Sequence, residues 1–170
     1  MTHAKQVILS SFIKLIDGIN IEKVTVKQII EDTDLSRQTF YYYFDNIEKM
    51  IKNCILDDTE EICKSIGALT DWERSLRLYI PFLHKYETVI RKSLHSKYFN
   101  TVYNALFDSF CIFYTSYIES KGVSVDENTV FLIRCSAGAF AGIVVKMVQS
   151  GNNDYDIMTE KLSRGISIGK

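Results

Sequence analysis

A chain of 170 residues with 46% hydrophobic side chains can bury a substantial core, as one large domain or two small ones. Its net charge of −1 excludes a protein that holds nucleic acid by bulk attraction. One proline, eight glycines and long periodic runs predict an all-α chain; no segment alternates over a strand length beside turn signals, which excludes a sheet.

The opening residues MTHAKQVIL lack a charged-then-apolar export pattern, and no run of 18 apolar residues occurs, so a cytoplasmic chain without a membrane span is expected. Cys54, Cys63, Cys111 and Cys135 show no CxxC spacing, and His3, His84 and His95 are scattered. No metal site and no cofactor are expected, and the thiols read as reduced core residues. No nucleophile elbow, paired carboxylates or phosphate-binding glycine loop is present, which argues against an enzyme.

In chain order, a first helix is predicted from about Thr2 to Asp17, with Val7, Ile8, Phe12, Leu15 and Ile16 inward and Gly18 as its stop. Thr25 is an N-cap before Val26, Ile29 and Ile30, which fall at i, i+3 and i+4. A turn at Thr33-Asp34-Leu35 follows, with Leu35 as an apolar plug. Ser36 caps a helix over Arg37–Phe44, in which Phe40 and Phe44 share the inward face. Arg37, Gln38, Thr39, Tyr41, Tyr42 and Tyr43 are left to face outward or sideways, since three consecutive tyrosines cannot share one side of a helix. Asp45 and Glu48 form a capping-box variant for a fourth helix over about Asn46–Ser65. Two short helices across a tight turn, the second polar and aromatic outside, make a helix-turn-helix reader of the DNA major groove.

The run TVKQIIEDTDLSRQTFYYYF resembles the signature of the TetR family of bacterial transcriptional regulators. Thr25, Val26, Lys27, Ile29, Leu35, Ser36, Thr39, Phe40, Tyr41, Tyr43 and Phe44 match it without a gap, and the similarity covers about residues 5–52. The form SRQTFYYYF also resembles a Gram-positive subgroup that includes activators of dihydroxyacetone-kinase operons.

The resemblance implies that Thr25 and Tyr41 hold phosphate oxygens while Lys27, Arg37, Gln38 and Tyr42 reach base edges. Ser36 and Thr39 serve phosphate or base, and Tyr43 touches the backbone. The family commonly has a phosphate-gripping lysine three residues after the final Phe, where this chain has Ile47; Lys49 is the nearest substitute. Residues 1–50 hold six cations against seven carboxylates, so Glu31, Asp32 and Asp34 should sit away from the phosphates.

Beyond the head, Gly67 and the Thr70-Asp71 pair mark a break, with Asp71 capping the next helix. Pro81 kinks that helix or starts a new one. Twelve of the chain's 21 aromatics lie in residues 72–117, and Phe99, Tyr103, Phe107, Phe110, Tyr114 and Tyr117 recur as a helical stripe. Such a stripe is core more often than pocket; Tyr79, Phe82, Tyr103, Phe107 and Phe110 are the candidate effector lining, in the region where the resembling family has its pocket. Arg91, Lys92, His95 and Lys97 form a basic cluster just before the stripe.

Asp126 or Glu127 opens a helix that ends before Gly151, and a last helix spans about Asp154–Gly165 with Ile157, Met158, Leu162 and Ile166. Ala137, Gly138, Ala141 and Gly142 allow close helix approach. With Val145, Ile157 and Leu162 they are the candidate dimer interface, a four-helix arrangement implied by the resemblance.

The sequence therefore predicts an N-terminal three-helix helix-turn-helix DNA-binding domain, residues 1–50. A helical effector-binding and dimerisation domain follows, residues 51–170. A homodimer on a palindromic double-stranded operator is expected, controlled by a small-molecule effector. The alternative is a coactivator of the same fold, controlled by a protein partner.

Overall fold

The computed structural model describes residues 1–66 and 71–165; the predicted break at Gly67 and Thr70, and Ile166 of the last helix, lie outside the described residues. Among these residues there is no strand. The helices are α1 (His3–Gly18), α2 (Val26–Glu31), α3 (Arg37–Tyr43), α4 (Ile47–Ile66), α5 (Trp72–Arg77), α6 (Tyr79–Ser93), α7 (Phe99–Ser120), α8 (Glu127–Ser150) and α9 (Tyr155–Gly165). A short 3-10 turn at Ile21–Lys23 links α1 to α2.

The head is built by side chains that cap and plug. On α1, Ile8, Leu9, Phe12 and Ile16 are buried, whereas Val7 and Leu15 are only half-buried. Gly18 is the last residue of α1 without a left-handed φ, so the helix stops at an extended Ile19 and not by the glycine cap the sequence predicts. The Thr25 side chain accepts from the Gln28 N–H while Gln28 Oε1 accepts from the Thr25 N–H, a reciprocal capping box. Ser11 on α1 donates to the Ile29 carbonyl at 2.8 Å and ties α2 down.

One correction falls at the start of α4. Asn46 Oδ1 accepts from the Lys49 N–H at 2.8 Å, so Asn46 is the cap in place of Asp45 and Glu48. Glu48 instead accepts from Thr101 of α7.

In the body, α4 packs most extensively along α7, and α7 in turn against α8. Pro81 falls in the first turn of α6, where its missing N–H would have had no helical partner, and it begins a helix without kinking one. Phe110 stacks on Phe140 at 4.2 Å between ring centroids, and Tyr79, Phe82 and Phe113 close the cluster. Inside it a hydroxyl chain runs from α6 to α4: Tyr79 bonds Ser109, Ser109 bonds Thr59 at 2.5 Å, and Thr59 donates to the Ile55 carbonyl. Each polar group is thereby satisfied, as burial requires.

The inward line of α7 is Val102, Ala105, Leu106, Ser109, Phe110 and Phe113. The predicted aromatic stripe lies beside it, mostly half-buried, because α7 is covered on two sides, by α4 and α8. Gly151, at φ +72°, closes α8 with its N–H on the carbonyls of Met147 and Val148, a left-handed position that suits glycine.

Candidate nucleic-acid interface

Helix α3 is fixed from beneath and bare above. Phe40 and Phe44 are buried in the head, with rings 5.7 Å apart. At its start, Ser36 Oγ accepts from the Thr39 N–H at 3.0 Å and pairs with the Thr39 hydroxyl at 2.9 Å. These two hydroxyls are thus already engaged in holding the helix end, which leaves each one free direction for a phosphate. Thr25 is similarly occupied by Gln28.

Arg37, Gln38, Tyr41 and Tyr42 form the opposite face, spaced i, i+1, i+4 and i+5. Tyr42 is 80% exposed and Tyr41 50% exposed, large aromatic side chains that a lone head has no packing reason to leave in water. Arg37 and Gln38 are exposed with no hydrogen-bond partner among the described residues. An arginine so placed keeps its two-pronged donor set for a guanine edge, and a glutamine its donor–acceptor pair for an adenine. Tyr43 is turned part-way inward, its ring 5.9 Å from Lys5 Nζ of α1.

Charge around this face is sparse. Lys27 pairs with Glu31 at 3.6 Å, an exposed contact that holds the cation weakly. Glu31 therefore stays beside Lys27 instead of turning away. Asp32 does turn away, onto Lys14 of α1 at 2.6 Å. Ile47 is buried, so its position is a core position here, and Lys49 is exposed on the first turn of α4.

The head is fastened to the body along α4. Asp57 accepts from Lys5 of α1 at 2.6 Å, and its neighbour Asp58 accepts from Lys85 at 2.5 Å and Tyr86 at 2.8 Å, both on α6. Burial, followed by the adjacent Asp58 carboxylate, pushes the Tyr86 phenol up, which keeps it a donor. Burial and the same carboxylates push the Cys54 thiol up to about 12, so it stays protonated and unreactive.

The five candidate pocket residues do not form one group. Tyr79, Phe82 and Phe110 belong to the packed aromatic interior. Tyr103 and Phe107 are half-buried on the flank of α7, where the Arg134 guanidinium of α8 lies 5.4 Å from the Phe107 ring centre.

The candidate interface residues also divide. Ala137 and Ala141 are fully buried in the chain's own core and offer no surface. Gly138, Gly142, Val145 and Leu162 are half-buried, and Ile157 is exposed. Of the candidates only Ile157 is left in water, and beside it stand Phe131 at 66%, Leu132 at 54%, Val130 and Ile143. Between α8 and α9 runs a groove of 470 Å³ lined by Ile143, Met147, Ile157, Met158 and Leu162, with Asp154 and Lys161 at its edge. The helical phase of α8, set by Ile133, Ala137, Phe140, Ala141, Val144 and Val148 as the inward line, is the signal that separates the two sets. By length and composition α8 is apolar enough to cross a membrane, yet only 28% of its apolar window is buried within the chain.

No family model and no curated protein matches this sequence. Solved structures do match its fold, an all-helical one with a helix-turn-helix head on a helical body. It is similar to the dihydroxyacetone kinase operon activator DhaS, with a TM-score of 0.72 at 18% identity over 96% of this chain and 95% of that one. It is also similar to the fatty acid degradation regulator FadR from Bacillus halodurans, with a TM-score of 0.59 at 15% identity over 100% and 99%. Both neighbours are regulators by name.

Proposed function

We propose that this chain is a sequence-specific, DNA-binding transcriptional regulator that works as a homodimer in the cytoplasm. The observation that carries it is the α3 face of Arg37, Gln38, Tyr41 and Tyr42, rigid beneath and unpartnered above. Lys27 of α2 joins Arg37, Gln38 and Tyr42 toward the bases, Thr25, Tyr41, Tyr43 and Lys49 supply backbone contacts, and Ser36 and Thr39 serve either. The dimer is supported by the uncovered apolar residues of α8 and α9, which a second copy related by a twofold axis would cover. Two heads then read two half-sites.

Control by a small effector is the first reading of the body, with Tyr79, Phe82 and Phe110 around the Tyr79–Ser109–Thr59 hydroxyls as the place it would enter. Because those rings are in contact, a ligand there must displace one. That packing favours, as the second reading, control by a protein partner on the outside of the body.

Retardation of DNA flanking the chain's own gene, at low ionic strength, tests the proposal. Arg37→Ala should weaken specific binding by roughly 1–3 kcal/mol while leaving helicity and dimerisation intact. Equal binding by the variant removes Arg37 from the readers, and no retardation of any fragment by the parent chain refutes the proposal.

A further inference from the structure

The end of α6, the start of α7 and the turn between them reach across to the head at three places. Lys92 Nζ donates to the Asp17 carbonyl at the end of α1, at 3.1 Å. The Lys97 backbone N–H donates to the Glu22 carboxylate of the 3-10 turn at 2.6 Å. Thr101 Oγ1 donates to Glu48 at the start of α4 at 2.5 Å. All the donors belong to the body and all the acceptors to the head. Between them, Lys97 and the buried Tyr98 form one wall of a 360 Å³ cleft whose opposite wall includes Tyr41 of the reading helix and Ile47.

A head joined to its body only through α4 would be free to twist about that helix's axis, because the two parts of such a chain share a modest interface. Glu48 lies on α4 itself, so the bonds to Asp17 and Glu22 are the ones placed off that axis that remove this freedom. Of these two, the one to Glu22 is charge-assisted at its acceptor and the shorter. We infer that the α6–α7 turn is a clasp that sets the orientation of the reading head, acting beside α4, with Glu22 as its principal anchor. Of the basic cluster that precedes α7, Lys92 uses its ammonium on the head, whereas Lys97 contributes its backbone N–H and lays its ammonium over the Tyr98 ring.

The test is amide hydrogen exchange on the full chain with Glu22→Ala and the conservative Glu22→Gln. In Glu22→Ala the amides of α2 and α3 should exchange roughly tenfold faster, the factor expected for loss of one hydrogen bond to a charged group. Those of α8 should match the parent, and Glu22→Gln should fall between. Parent-like exchange in the head overturns the clasp, and so does equal acceleration in head and α8, which would mark general destabilisation.

A second arm rests on the regulator reading proposed above and uses any duplex that the parent retards. Removing a carboxylate from the head should tighten DNA binding if bulk charge alone acts. The clasp requires the opposite, severalfold weaker binding by Glu22→Ala, and tighter binding overturns it. Should the parent retard no duplex, the regulator reading fails while the exchange arm still decides the clasp.

Discussion

Asp126 illustrates how much one side chain does at the head of a long helix. Its carboxylate accepts from the Thr129 N–H at 2.8 Å and from the Thr129 hydroxyl at 2.7 Å. These bonds hold its pKa below the ordinary 3.8. A depressed carboxylate contributes stability above its unfolded value and loses it as pH falls through the folded one. The first turn of α8 should therefore fray on acidification below about pH 4, seen as faster amide exchange at residues 127–131. Asp126→Asn keeps a capping oxygen and should remove the pH dependence; a variant that frays like the parent would show that another group is titrating. Caps of this kind are legible in sequence: Thr25, Ser36 and Asp71 cap where their positions predict, and of Asp126 and Glu127, between which the sequence does not choose, Asp126 caps α8. The cap of α4 is not legible, because Asp45 and Asn46 are both good capping residues and only the chain's path chooses Asn46.

At the scale of the element, α8 carries two stories one helical position apart. Its small residues suggest an interface, yet Ala137 and Ala141 serve the core and Phe131, Leu132 and Ile143 are left in water. Composition reveals that a helix packs closely somewhere; it does not reveal which neighbour it packs on. The same limit applies to α7, where the eye follows the aromatic stripe and the buried line runs through Ala105 and Ser109 instead. If a second copy covers α8, Ile143→Asp should convert the dimer to monomer in sedimentation at micromolar concentration without loss of helicity, because a charge buried unpaired in an interface is strongly unfavourable. A dimer that survives the change places the interface elsewhere. Phe140→Ala should instead cost about 3–5 kcal/mol in denaturant unfolding, the usual penalty for truncating a buried ring. A loss below about 1 kcal/mol would mean that the stack on Phe110 closes up around the gap.

At the scale of the whole molecule, the scarcity of charge limits how the proposed regulator can hold DNA. The exposed cations of α2, α3 and early α4 are Lys27, Arg37 and Lys49. Two heads give about six phosphate contacts at most, so the slope of log affinity against log salt should be no steeper than roughly −5. A slope near about −10 would mean that lysines outside the head touch the duplex. The helix-turn-helix and its place in the chain are legible because its caps, apolar spacing and turn all agree. How the head is held to the body is not, because that depends on pairs far apart in sequence, such as Lys5 with Asp57 and Glu22 with Lys97.

Asp57 and Asp58 are consecutive on α4, so their side chains diverge by about 100° around the axis, one toward the head and one toward the body. Turning that rod in either direction strains one ion pair before the other. The joint should accordingly hold one resting angle, guarded on each side by a contact that must break before the rod can roll.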